Sequence, residues 1–144
     1  MNFLLDVNVL VALIWEQHLH HASAGRWFFT AITGSTDGFA TCGMTQTGFV
    51  RVSSNPAVLR DAVSVREASA VLAELVGHPS HRFLADDRGF ARNPLVPHDR
   101  LVGHRQVTDA HLIAIARRHR SKLATFDAGL LQLGGSAVER LSTA

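Results

Sequence analysis

One cysteine, one lysine and no apolar run long enough to cross a bilayer bound what this chain of 144 residues can be. Cys42 alone excludes an intrachain disulfide and fits a reducing compartment, so a cytoplasmic protein is expected. The longest early apolar run, VLVALIW, falls far short of the roughly 20 residues a membrane helix needs. No basic segment precedes it and Asp6 interrupts the stretch, so neither a signal peptide nor a membrane partner is expected. Repeats, low-complexity tracts and linkers are absent, and residues 1–144 read as one domain. A glycine-rich phosphate loop is also missing, since LGGS lacks the other residues such a loop requires. Nine histidines invite zinc, but HLHH at 18–21 and HPSH at 78–81 lack the paired Cys/His spacing of a structural site. With Lys122 the only lysine, the basic side is nearly all arginine, whose planar fork suits phosphate. A net charge of +2 is compatible with a nucleic-acid partner without demonstrating one.

An apolar fraction of 47% against 18% charged marks a folded globular chain. NFLL reads as a buried strand, and Val9, Leu10, Leu13 and Ile14 have helical spacing after it. HHASAGRWFFTAI reads as a helix ending at Gly34, GFATC as a second strand, and MTQTGFVRVSS as a helix despite its β-branched residues. Trp15, Trp27 and Phe28 are expected in a core or a dimer interface, and Cys42 buried in its strand. Asn55-Pro56 has the form of a helix start. Ser64 and Glu67 match a capping box ahead of the stripe Ala68, Val71, Leu72, Leu75 and Val76. HRFLA is a third strand and 86–104 mostly loop. In VTDAHLIAIARRHR, Thr108 is the expected N-cap, Asp109 lies in the first turn, and Arg117, Arg118 and Arg120 complement the dipole at the far end. KLATF is a strand, followed by Asp127, a short helix and a last strand, AVERL. Strands alternating with helices predict an α/β sandwich around a short, mostly parallel sheet.

Asp6 is the anomaly, a carboxylate inside the most apolar N-terminal stretch. In parallel sheets the functional crevice lies beyond the carboxyl ends of the strands. Asp6 follows the first strand, Asp127 follows the strand that ends at Phe126, and Asp109 opens the helix before it. Three unpaired carboxylates on one edge repel, and a hard divalent cation such as Mg²⁺ or Mn²⁺ removes that penalty while leaving room for phosphate oxygens. Metal-assisted phosphodiester hydrolysis is the natural chemistry. Each aspartate alone reads equally well as a turn or cap residue; it is their joint placement that points to a site.

LLDVNVLVAL, TQTGFVRV, VTDAHLIAIA and LATFDAGL resemble, in order and spacing, the motifs of PIN-domain ribonucleases, and most closely those of the VapC toxins of toxin–antitoxin pairs. The resemblance runs from Asn2 to about Leu133. It implies a compact three-layer α/β/α domain and Mg²⁺- or Mn²⁺-dependent cleavage of structured RNA, tRNA or rRNA. It also implies a VapB-like antitoxin partner, and a homodimer is expected. By position, Asp6, Asp109 and Asp127 match the family's first, third and fourth acids, with Asp6 and Asp109 as metal ligands. Asn8 matches the Asp-x-Asn opening, and Thr125 a hydroxyl two residues before the last acid.

The family's second acid, a glutamate, falls where this chain has Gln46, which brings no charge. Asp86, Asp87 and Asp99 are candidates for the missing charge. Arg51 is expected either to pair with a site carboxylate, to touch RNA, or to lie solvated on its helix. Without the glutamate, an alternative is a weakened domain that binds RNA or an antitoxin and cleaves nothing. An aspartyl-phosphate fold would need a lysine after a late strand, whereas Lys122 begins one.

Overall fold

The computed structural model describes residues 1–143. Its frame is a five-stranded sheet, β1 (Asn2–Leu5), β2 (Gly38–Thr41), β3 (His81–Phe83), β4 (Lys122–Thr125) and β5 (Val138–Arg140), in the order β3-β2-β1-β4-β5. Every neighbouring pair is parallel, more uniform than the mostly parallel sheet expected. Leu4, Ala40 and Leu123 point to one face, and Phe3, Leu5, Phe39 and Ala124 to the other. Both faces are buried, which is why these short strands read as continuous apolar runs.

The Phe3–Leu5 face is covered by α1 (Val7–Ile14), α2 (His21–Phe28), α3 (Gly43–Ser53) and α4 (Val65–Val76). The opposite face is covered by α5 (Val107–Arg118), α6 (Ala128–Gly134) and residues of the long loop before α5. The result is three layers. Trp15, Trp27 and Phe28 pack within the α1–α4 layer. Gly48 lets α3 meet α1, because a Cβ there would stand 2.6 Å from a methyl of Val7, a β-branched side chain with little rotamer freedom to yield.

Local signals were obeyed where one residue could satisfy them. Ser64 caps α4 by accepting the Glu67 N–H at 3.0 Å. The helix from His21 continues through a π turn, Phe29–Thr33, and stops at Gly34. Four expectations need correction. Asn55 starts no helix: its side chain accepts the Ala57 N–H at 3.0 Å, and a single turn follows. Thr108 is not the N-cap of α5, since a 3₁₀ turn, His104–Gln106, leads in and makes Gln106 the cap. Arg120 lies beyond α5 with a positive φ of 56°, so only Arg117 and Arg118 occupy the last turn. Cys42 is fully buried, but as the N-cap of α3 and not within β2.

The chain builds β1, β2 and β3 outward in one direction, then returns through α5 to place β4 on the other side of β1. Strand order therefore reverses between β1 and β4. The helices that leave those strands, α1 and α6, go to opposite faces. Such a switch point opens a crevice beyond the strand ends.

Candidate active site

Asp6 ends β1 at this crevice. Its backbone N–H still donates to Ala124 of β4 at 3.0 Å, while its side chain caps α1 through Val7 N–H at 2.8 Å. The residue is only 8% exposed. Its second carboxylate oxygen accepts the Thr125 hydroxyl at 2.8 Å. Thr125 is fully buried, and its hydroxyl oxygen also accepts from Asn8 Nδ2 at 3.3 Å and from the Asp127 N–H at 3.1 Å. With both lone pairs taken, its single proton is committed to Asp6. Asn8 completes the tie by accepting the Phe126 N–H at 3.3 Å. The Asp-x-Asn opening and the Thr-x-Asp ending thus form one network across the switch point.

Asp127 is exposed at the mouth and caps α6 through Gly129 N–H at 2.8 Å. Asp109 stands in the first turn of α5, half-buried. Burial, then the charges of Asp6 and Asp127, push its carboxyl up to about 6. Asp6 is also raised, chiefly by burial, against the lowering effect of Thr125 and Val7. The three aspartates therefore share one field. Among the described residues none of them pairs with an arginine, lysine or histidine.

Other residues singled out in the sequence lie elsewhere. Gln46, in the first turns of α3, donates its amide to Thr41 at 3.0 Å, and Thr41 in turn meets His81 Nε2 at 2.7 Å. None of its hydrogen bonds reaches an acid. Arg51 is exposed in the last turn of α3, with no ion pair among the described residues. Asp87 is held by Arg118 on both oxygens, at 3.2 and 2.9 Å. His111 Nε2 lies 2.9 Å from Asp86, close enough for an ion pair but outside hydrogen-bond angles. Asp86 and Asp87 are thus engaged away from the crevice, and Asp99 sits exposed in a 3₁₀ turn.

The donor set suits a hard divalent cation, because it is all oxygen and, among the described residues, its charges lack a counter-ion. Among the described residues, no three acid, histidine or cysteine side chains are gathered tightly enough to enclose a metal ion. Asp6 and Asp127 spend oxygens on helix caps, though an ionised carboxylate has further lone pairs to give.

The PIN domain model matches residues 3–135. Ribonuclease VapC38 of Mycobacterium tuberculosis (strain H37Rv) is 50% identical over 132 residues, 90% of this chain and 88% of that protein. Ribonuclease VapC29 of the same species is 40% identical over 143 residues, 99% of this chain and 98% of its own length. In fold, the chain resembles the crystal structure of VapBC2 from Rickettsia felis bound to a promoter DNA fragment, with a TM-score of 0.66 at 11% identity, covering 99% of this chain and 100% of that one. It also resembles FitAcB from Neisseria gonorrhoeae, with a TM-score of 0.59 at 21% identity, covering 94% and 95%. Matching the family model over nearly its whole length and VapC ribonucleases at up to half of its aligned residues, the chain belongs to the PIN-domain family, within its VapC group.

Proposed function

We propose that this protein is the endoribonuclease toxin of a toxin–antitoxin pair, cutting structured RNA, tRNA or rRNA, with Mg²⁺ or Mn²⁺. The observation that carries this reading is the set of three aspartates, brought from β1, α5 and the end of β4 to one crevice and left without a cation in an arginine-rich chain. Asp6 and Asp109 would hold the ion. When bound there, a divalent cation would supply an acidified water and a counter-charge for the phosphate in transit. Thr125 keeps its proton on Asp6 Oδ2 and so holds that carboxylate in one orientation. Asn8 locks Thr125 and the Phe126 backbone against it. Asp127, exposed at the mouth, is open to accept the proton of the attacking water. Arg51, exposed and without an ion pair among the described residues, is available to RNA phosphates.

The named relatives are ribonucleases, and both structural neighbours carry names of toxin–antitoxin assemblies. They support a VapB-like antitoxin as protein partner, with a second copy of the chain and a cytoplasmic location completing the reading. Among the described residues no helix is long and apolar enough to cross a membrane.

Purified protein is expected to cleave a tRNA or rRNA pool with Mg²⁺ or Mn²⁺, to stop in EDTA, and to resume when the cation is restored. Cleavage that persists in EDTA overturns the metal requirement. A protein that binds the pool but never cuts it supports the second reading, an RNA- or antitoxin-binding module. That reading is favoured by Gln46, which brings no charge and turns to Thr41.

A further inference from the structure

The HLHH stretch has no part in the function above, yet the fold brings it to the rim of the crevice. We propose that His20, stacked on Phe126 beside Asp127, is a base-stacking residue that receives a nucleobase of the RNA next to the cleaved bond. The proposal rests on the RNA-cleaving reading. Phe126 lies between Thr125 and Asp127, and its backbone is pinned by Asn8 on one side and by Arg140 Nε, 3.5 Å from its carbonyl, on the other. Its ring packs against the α1–α4 layer. The His20 imidazole covers it at 5.0 Å between centroids, tilted 30°.

His20 itself is fixed by its backbone. Its N–H donates to His18 Nδ1 at 3.0 Å, and its carbonyl accepts from Ala24 N at 2.9 Å. Among the described residues its ring makes no hydrogen bond, and the residue is half-exposed. Leu19 beside it is 89% exposed. The His18 ring lies 5.8 Å from His20, tilted 52°, so it does not stack flat on it. A pinned, half-exposed aromatic pair therefore stands one residue from the exposed acid. Every base has a π-face, so such a platform binds single-stranded or looped RNA without demanding one sequence, and losing it costs about tenfold in affinity. A histidine that merely shields Phe126 from water would contribute to stability and not to substrate affinity.

The test uses the full-length protein as wild type, His20→Ala and His20→Phe, with folding checked by circular dichroism melts. Steady-state cleavage of a tRNA pool is measured with Mg²⁺, and binding of the same fluorescein-labelled pool is measured in the Asp6→Asn background. His20→Ala is expected to raise KM and weaken binding about tenfold, with kcat nearly unchanged. His20→Phe, which keeps a flat ring on Phe126, should restore both. Unchanged KM and binding in folded His20→Ala, or a His20→Phe protein no better than His20→Ala, overturns the stacking role. A wild type that binds RNA but cleaves none fails the enzyme reading, and the binding arm still decides the role of His20. A wild type that neither binds nor cleaves overturns both.

Discussion

Asp109 and Asp87 border the two ends of one helix, α5, and the protein treats them oppositely. Asp109, at the N-terminal end, faces Asp6 and Asp127 and is pushed up to about 6. Asp87 receives the Arg118 guanidinium from the last turn, and that hydrogen bond holds its carboxyl below the ordinary range. Asp86 has His111 Nε2 at 2.9 Å, without a hydrogen bond between them. Arginine is therefore not scarce around α5, and Arg105 even lies in the turn that leads into it; yet among the described residues none pairs with the three acids that meet at that end. A helix N-terminus eases one carboxylate by a fraction of a kcal/mol to about 1 kcal/mol, which is too little to offset two neighbouring like charges and partial burial. Asp87 is paired, whereas Asp6, Asp109 and Asp127 are left in mutual repulsion, which supports the divalent cation proposed for them.

The largest expected effect sharpens that contrast directly. Asp6→Asn, Asp109→Asn and Asp127→Asn should each lower RNA cleavage by at least about a hundredfold, since even second-layer partners of a metal site cost 10–100-fold. Asp87→Asn and Asp86→Asn, whose carboxylates are engaged by Arg118 and His111, should leave the rate unchanged. In cells, expression of the wild type without its antitoxin should arrest growth, and Asp6→Asn should relieve it. A folded Asp6→Asn protein that still arrests growth breaks the division of the acids into two kinds.

That division was half legible in the sequence. Asp6, Asp109 and Asp127 stand out because each ends or opens a short apolar element, and the period-2 and period-3.6 patterns behind them decide which edge they reach. The ties between them were legible only as family positions, since Asn8 and Thr125 are 117 residues apart and meet through strand pairing of β1 with β4. Asp86 and Asp87 could not be separated from the site acids, because their partners, His111 and Arg118, come from the far side of a loop. That loop reads as polar, yet Asn93 folds it by donating to Gly89 O at 2.7 Å and accepting Leu95 N–H at 3.0 Å, which buries Val96. Thr108 and Asn55-Pro56 misled for a common reason. A capping residue announces that a helix can begin, and the neighbouring chain decides whether it begins there. Nothing local announces that His20 will rest on Phe126.

A smaller effect lies in stability. Asp109 has its ordinary value near 3.8 when unfolded and about 6 when folded. The folded protein thus holds this proton more tightly, and the associated stability is full below pH 4 and lost as pH rises through about 6. In EDTA, wild type should melt progressively lower across that window. Asp109→Asn should melt several degrees higher than wild type at pH 7.5 and no higher at pH 4. Added Mg²⁺ should raise the wild-type melting temperature at pH 7.5 and leave that of Asp109→Asn nearly still. Asp87→Asn should show the opposite sign, losing an ion pair whose benefit is present at neutral pH and vanishes in acid. If Asp109→Asn melts below wild type in EDTA at pH 7.5, Asp109 has a partner that the repulsion argument omits.

The smallest effect is expected at Gln46, which stands at the family's second acidic position but belongs, by its hydrogen bonds, to neither set of aspartates. Its amide donates to Thr41, which leaves the Thr41 proton free for His81 Nε2 and suits a neutral imidazole there. Burial already pulls His81 below its ordinary value, while the Val76 backbone pulls it up. Gln46→Glu removes the donor. Thr41 would then give its proton to the new carboxylate and accept from His81 Nε2, and the added negative charge nearby favours the imidazolium. The His81 titration, followed by NMR, should move up in Gln46→Glu, while the Mn²⁺ concentration for half-maximal cleavage changes by less than about twofold, as a screened charge would give. A tenfold drop in that concentration with His81 unmoved would mean that residue 46 swings from Thr41 into the crevice, where a close charge is worth on the order of 1–4 kcal/mol. Gln46 would then join Asp109 among the acids' neighbours rather than stand with the residues that only hold the fold.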